Sequence, residues 1–391
     1  MIVTKESIRR YLLLKQLLLP PQSLRGQRGI DTVFNTIRSV QFDPQNPCGT
    51  NVDLVLQARV SGIHPQDYYQ WLYQQRKGIE CFDKELCIVP IQDLLLCQKV
   101  FSNRSRKNTD IFIQENSVAI KQLISRIEKD GEISSSQIID SRKMDSFWGN
   151  PRWGKAALDI LWKTGKLVIS KREKGRKYYD LSTKVYGESF TWVEENSVSP
   201  EKVIRRINSV GLLPKSGTGQ GWLGIGIGKQ IVPIINQLLE QKVLTEIKIK
   251  DVKKTYIMSS TDLYLLKRAA VIKPSIVFLA PLDNLLWDRD MIKDIFNFEY
   301  RWEVYTPKPQ RKYGHYALPV LYGDRFIGRI EPRQVGTTLE IRGLWLEPGF
   351  SWNEAVSRLF YDYLRKFKDY LNIKAIKWSC KPPITFSKGS V

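Results

Sequence analysis

The chain has 391 residues, with 61 Lys and Arg against 40 Asp and Glu, a formal net charge of +21 and a pI near 9.6. That length suits two to four domains of roughly 100 residues or more, and so large a positive excess points to a polyanionic partner, most often nucleic acid. No apolar run approaches the roughly 20 residues that span a bilayer, the first residues do not read as a signal peptide, and only two histidines, His64 and His315, argue against a zinc site or a histidine-based triad.

The first predicted element is a leucine-rich core helix over residues 11–19, closed by Pro20-Pro21. A second helix is expected over 30–40, with Ile30, Val33, Phe34, Ile37 and Val40 on one face. It runs into Gln41-Phe42-Asp43-Pro44. A residue before proline is pushed into extended backbone, and side chains alternate there. Gln41 and Asp43 therefore share one side, with Phe42 as an anchor on the other. The ordinary alternative is that Asp43 caps a helix whose first residue is Pro44. A last helix of this region is expected over 66–76, followed by Glu80-Cys81-Phe82.

A helix–helix–helix–hairpin pattern then recurs. Over 118–181 it reads as a helix at 118–129, a short polar helix at 134–140 and a helix at 153–164. A hairpin follows, from Leu167-Val168-Ile169-Ser170 to Tyr178-Tyr179-Asp180-Leu181. The hairpin tip carries Lys171, Arg172, Lys174, Arg176 and Lys177. Over 199–258 the pattern returns with helices at 200–210 and 229–241 and a wing of strands at 243–249 and 255–258. Lys253 and Lys254 sit at its tip. Charged hairpin tips are often only solvated edges, but two successive basic wings on a chain of this charge favour phosphate contact.

The glycine-rich run 217–229 is not a nucleotide loop, since Leu223 and Gln230 stand where a Walker motif needs Gly and Ser or Thr. From residue 273 the texture turns to strands, expected at 275–280, 300–305, 316–321, 325–330 and 338–346, with one helix at 352–370. The predicted class is α+β: three tandem winged-helix domains (1–112, 113–186, 187–272) followed by a C-terminal β-barrel-like domain (273–391).

The segments Val40-Gln41-Phe42-Asp43-Pro44, Asp53-Leu54-Val55-Leu56-Gln57-Ala58-Arg59 and Phe278-Leu279-Ala280-Pro281-Leu282-Asp283-Asn284-Leu285-Leu286-Trp287-Asp288-Arg289, with Tyr300-Arg301-Trp302-Glu303-Val304-Tyr305 and Tyr313-Gly314-His315-Tyr316-Ala317-Leu318-Pro319, resemble the YcaQ/AlkZ family of DNA glycosylases over nearly the whole chain. The resemblance implies excision of N7-alkylated guanine and unhooking of interstrand crosslinks. It places the family's catalytic motif on Gln41, Phe42 and Asp43, the Asp form being similar to the YcaQ branch. This chain departs from many relatives at Val52, where they carry histidine, and at Glu80-Cys81-Phe82, where Glu-x-Trp is common.

An N7-alkylguanine is cationic and leaves readily, so one carboxylate that stabilises oxocarbenium charge and orients or deprotonates water at C1′ suffices. Asp43 is the candidate for that role and Gln41 for holding the water or the sugar. With no lysine beside the motif, the expected chemistry is monofunctional. The expected partner is double-stranded DNA, bound by a monomer, with no cofactor, no metal and no membrane. Five cysteines without a CxxC pair, Cys48, Cys81, Cys87, Cys97 and Cys380, suit a reducing cytoplasm, with nucleoid association expected from the charge. The competing readings are a winged-helix transcriptional regulator, in which Gln41 and Asp43 merely cap a helix, and a metal-dependent nuclease built on Asp283, Asp288 and Asp290.

Overall fold

The computed structural model describes residues 1–96, 103–140, 142, 152–188, 190, 198–268 and 272–383; Cys97 lies outside them. The fold is α+β and divides into two compact units, one made of residues 1–68 with 198–391, the other of 69–197.

The first unit begins with the Lys5–Lys15 helix. Thr4 caps it by accepting from Ser7 N, with Glu6 in the first turn and Lys15 in the last. It starts earlier than the sequence suggests and stops at Lys15, because Leu17 adopts a left-handed conformation (φ 57°) ahead of Pro20. The Gly26–Ile37 helix buries Ile30, Val33, Phe34 and Ile37 as expected, but ends where Arg38 turns left-handed (φ 62°). Val40–Gln41 is therefore strand rather than a last helical turn.

Residues 198–268 supply the expected helices, Pro200–Val210 and Gly228–Glu240, and the hairpin Leu244–Ile249/Thr255–Ser259. The N-terminal Ile2–Val3 strand adds to this hairpin in parallel, opposite Lys248 and Ile249, and Leu213–Pro214 closes the other edge. Tyr11 Oη donates to Gly211 O (2.8 Å) and Lys15 pairs with Asp262 (2.7 Å), fixing the first helix to this layer. The glycine-rich run is a loop. Gly221 N donates to Asp288 Oδ2, and the buried Arg206 donates to the carbonyls of Gly221 and Leu223.

The C-terminal part is an open five-stranded sheet, ordered Ile276–Phe278, Leu318–Tyr322, Arg325–Val335, Thr338–Leu346, Ala375–Trp378. Among the described residues no ladder joins its first strand to its last, so the sheet is a half-barrel with a helix across it. The Glu354–Tyr370 helix takes the place of closing strands: Phe360, Tyr363 and Phe367 pack on Phe278 at 5.6, 4.8 and 5.7 Å between ring centres. The strand expected over 300–305 is irregular backbone, its neighbourhood pinned by side chains instead of a ladder; the Glu303 carboxylate accepts from Lys312 N and Tyr313 N (2.9 and 2.8 Å).

The second unit holds the Gly78–Phe82/Leu86–Pro90 hairpin, helices Asn103–Glu115, Ser117–Asp130 and Trp153–Lys163, and the hairpin Leu167–Glu173/Arg176–Leu181. The helix expected over 66–76 is one short turn, Gln70–Gln74. The polar helix expected over 134–140 shrinks to Ser135–Gln137, where Ser134 N donates to Gln137 Oε1 (2.7 Å).

Candidate active site

Gln41 and Asp43 lie on non-helical backbone between the Gly26–Ile37 and Asn51–Gln57 helices. Burial alternates along the motif: Gln41 and Asp43 are half-buried and Phe42 between them is buried, the pattern extended backbone imposes. Asp43 caps no helix. Its Oδ1 accepts from Gln45 N, two residues on, at 2.9 Å, closing an Asx turn. The next helix starts at Asn51 and is capped by Thr50, whose N donates to Asp53 Oδ2 (2.9 Å) while its hydroxyl accepts from Asp53 N.

Gln41 Oε1 is buried and accepts no hydrogen bond among the described residues. A buried acceptor without a donor costs roughly 1–3 kcal/mol, so a water or ligand donor at this position is favoured. Burial pushes the Asp43 carboxyl above its ordinary pKa, and the hydrogen bond from Gln45 N pulls in the opposite direction. Asp43 is also among the charges acting on the buried Tyr316 hydroxyl.

The motif is held from behind by the C-terminal block. Asn51 Nδ2 donates to Gln41 O (2.7 Å) while Asn51 Oδ1 accepts from Leu282 N (3.0 Å). Asn284 Nδ2 donates to Ser39 O (2.7 Å), and Gln334 N to Pro47 O (2.6 Å). Arg59 forms a fully buried two-pronged pair with Asp283, at 2.8 and 2.9 Å. Gln57 bridges Phe278 O and the Tyr363 hydroxyl, and the Tyr370 hydroxyl donates to Asp53 O. Sequence reasoning missed Asn51 as a support; its position two residues before Asp-Leu-Val-Leu gives no hint of a partner 231 residues away.

The three carboxylates of the nuclease reading are separately engaged. Asp283 pairs with Arg59, Asp288 caps the Arg289–Phe296 helix through Met291 N, and Asp290 pairs with Lys254.

The two hairpins divide their cations. In the second unit Arg172 turns inward: its Nε and Nη2 reach the Glu80 carboxylate at 2.8 and 2.6 Å, and Tyr73 Oη donates to the same group. Arg172 is buried, so its place among the candidate DNA contacts is corrected to a structural one; desolvating the pair is tolerated because it is fully hydrogen-bonded. Lys171 pairs with Glu132 and Glu173, and Lys177 with Asp159, its Nζ 4.4 Å from the Trp162 ring centre. Lys174 and Arg176 are exposed and carry no ion pair among the described residues. In the first unit, Lys254 pairs with Asp290 and Asp294, whereas Lys253 is exposed and carries no ion pair among the described residues.

A solved structure of the Streptomyces sahachiroi DNA glycosylase AlkZ has a similar fold, with a TM-score of 0.62 over 97% of this chain and 100% of that one at 12% identity. The fold is therefore one that a DNA glycosylase uses. The family described as DNA glycosylase AlkZ-like matches residues 35–365, and the chain belongs to that family. It is a DNA glycosylase, an enzyme of DNA repair with DNA as its partner. Among the described residues no helix is long and apolar enough to cross a membrane.

Proposed function

We propose that this glycosylase excises N7-alkylated guanine from duplex DNA and unhooks crosslinks formed through that position. Asp43 stabilises the developing oxocarbenium charge and orients or deprotonates the water that attacks C1′; Gln41 holds that water or the sugar. The observation that carries the reading is the pairing, on one extended segment, of a half-buried carboxylate with a buried amide oxygen that no donor among the described residues satisfies. The base leaves as a neutral N7-alkylguanine, so no general acid is required. With no lysine next to the motif, the product is an abasic site; a borohydride-trapped protein–DNA adduct would overturn this part.

The hairpins of residues 167–181 and 244–259 act as wings of winged-helix modules within 113–186 and 187–272, the first module being 1–112. Lys174, Arg176 and Lys253 meet phosphates, and the enzyme acts as a monomer. The test is release of N7-methylguanine from a defined duplex. Asp43→Asn should lower release by about 10²- to 10⁴-fold while DNA affinity is kept. Equal release by wild type and variant would remove Asp43 from the chemistry.

A further inference from the structure

A cleft of about 1200 Å³ opens in the first unit, walled by the irregular segment 296–313 and the Arg325–Val335 strand, and neither Gln41 nor Asp43 lines it. Six cationic side chains face it against four carboxylates, and every one of those carboxylates is already engaged. Glu6 pairs with Arg9, Glu299 with Lys293 and Glu347 with Arg329, while Glu303 accepts two backbone N–H groups. Arg301 and Lys312 are exposed and have no ion pair among the described residues. The cleft therefore keeps a net positive field that its own acids do not cancel.

Its wall is also preorganised. The buried Arg329 guanidinium lies between the Phe298 and Tyr313 rings, 4.3 and 4.1 Å from their centres, and Lys312 Nζ sits 5.1 Å from the outer Tyr313 ring. Glu303 clamps the backbone of Lys312 and Tyr313, and Arg311 Nε donates to Thr306 O (2.8 Å). Just beyond, Gly314 (φ 105°) wraps the Glu331 carboxylate so closely that a Cβ there would collide with it, while His315 N and Tyr316 N donate to that same carboxylate. A solvated loop has no use for two carboxylate clamps. Tyr316, at the end of the clamped segment, is buried.

We propose that this cleft is a second DNA contact, in which Arg301 and Lys312 hold phosphodiester groups of the duplex flanking the lesion. Exposed, unpaired cations beside this ordered wall suit a phosphodiester, which needs charge and a defined approach but no base reading.

The test compares Arg301→Glu/Lys312→Glu with Lys366→Glu/Lys374→Glu, a pair with the same change in net charge placed away from the cleft. Affinity for an undamaged duplex is measured across a salt series, so the result is independent of whether the base is ever released. The cleft variant should bind about tenfold or more weakly, and its log–log salt slope should fall by about 1.8, at about 0.9 per lost phosphate. The control pair should move the slope by much less. Equal effects of the two pairs would reduce the result to bulk charge and overturn the proposal, as would no effect of either. A third arm titrates wild type with inorganic phosphate and with a deoxynucleoside monophosphate by calorimetry. Saturable binding of either that the cleft variant loses, with duplex affinity intact, would make this a small-anion site and overturn the DNA assignment. Melting of both variants checks folding; all four positions are on the surface, apart from the core contacts described above.

Discussion

Asp43 is more costly to ionise in the folded protein than in the unfolded chain, because burial raises its pKa more than the single bond from Gln45 N lowers it. For a carboxyl whose folded pKa is raised, the stability it contributes is complete below the unfolded value and is lost as pH rises through the folded value. At neutral pH the charged group therefore strains the fold, and Asp43→Asn should melt at the same temperature as wild type or higher while losing excision. A clear drop in melting temperature at pH 7 would contradict this. In the proposed chemistry the base form of Asp43 does the work, which places the lower limb of the excision rate against pH above the ordinary carboxylate pKa of about 3.9. Measuring single-turnover release between pH 4 and 8 locates it.

Among the elements, the Leu167–Glu173/Arg176–Leu181 hairpin separates structural from functional charge over a few residues. Arg172→Met leaves Glu80 buried beside Tyr73 without its counter-ion, which should cost about 3–5 kcal/mol in denaturant unfolding. Lys174→Ala and Arg176→Ala should leave stability within about 0.5 kcal/mol and each lower the salt slope of DNA binding by about 0.9. The same slope for Arg172→Met and Arg176→Ala would erase the distinction. The hairpin, its basic tip and both helices of residues 200–241 were legible in the sequence, because alternation, Ser199-Pro200 capping and glycine turns are local signals. The direction of Arg172 was not, since its partner Glu80 is 92 residues distant. The same holds at the motif. The alternation of Gln41, Phe42 and Asp43 followed from Pro44, whereas the end of the preceding helix depended on Arg38 turning left-handed, which no propensity announces. The Arg289–Phe296 helix did carry a readable cap in Asp288, hidden by the surrounding strand-like texture.

At the scale of the whole molecule, the first unit is built from both ends of the sequence, with residues 69–197 intervening. Arg59→Met should lower the stability of the first unit by about 3–5 kcal/mol, because Asp283 would remain buried and unpaired. Hydrogen exchange should show the loss in the first unit's amides. Faster exchange confined to residues 69–188 would be the contrary result.

The Arg59–Asp283 pair also sets a schedule. Its partners are 224 residues apart, a stretch that takes roughly 10 to 45 s to translate at about 5–20 residues per second. Until the later segment emerges from the ribosome, Arg59 has no counter-ion and Asn51 no Leu282 to grip. A nascent chain thus carries Gln41 long before Asn51, which holds the Gln41 carbonyl, gains its own anchor at Leu282.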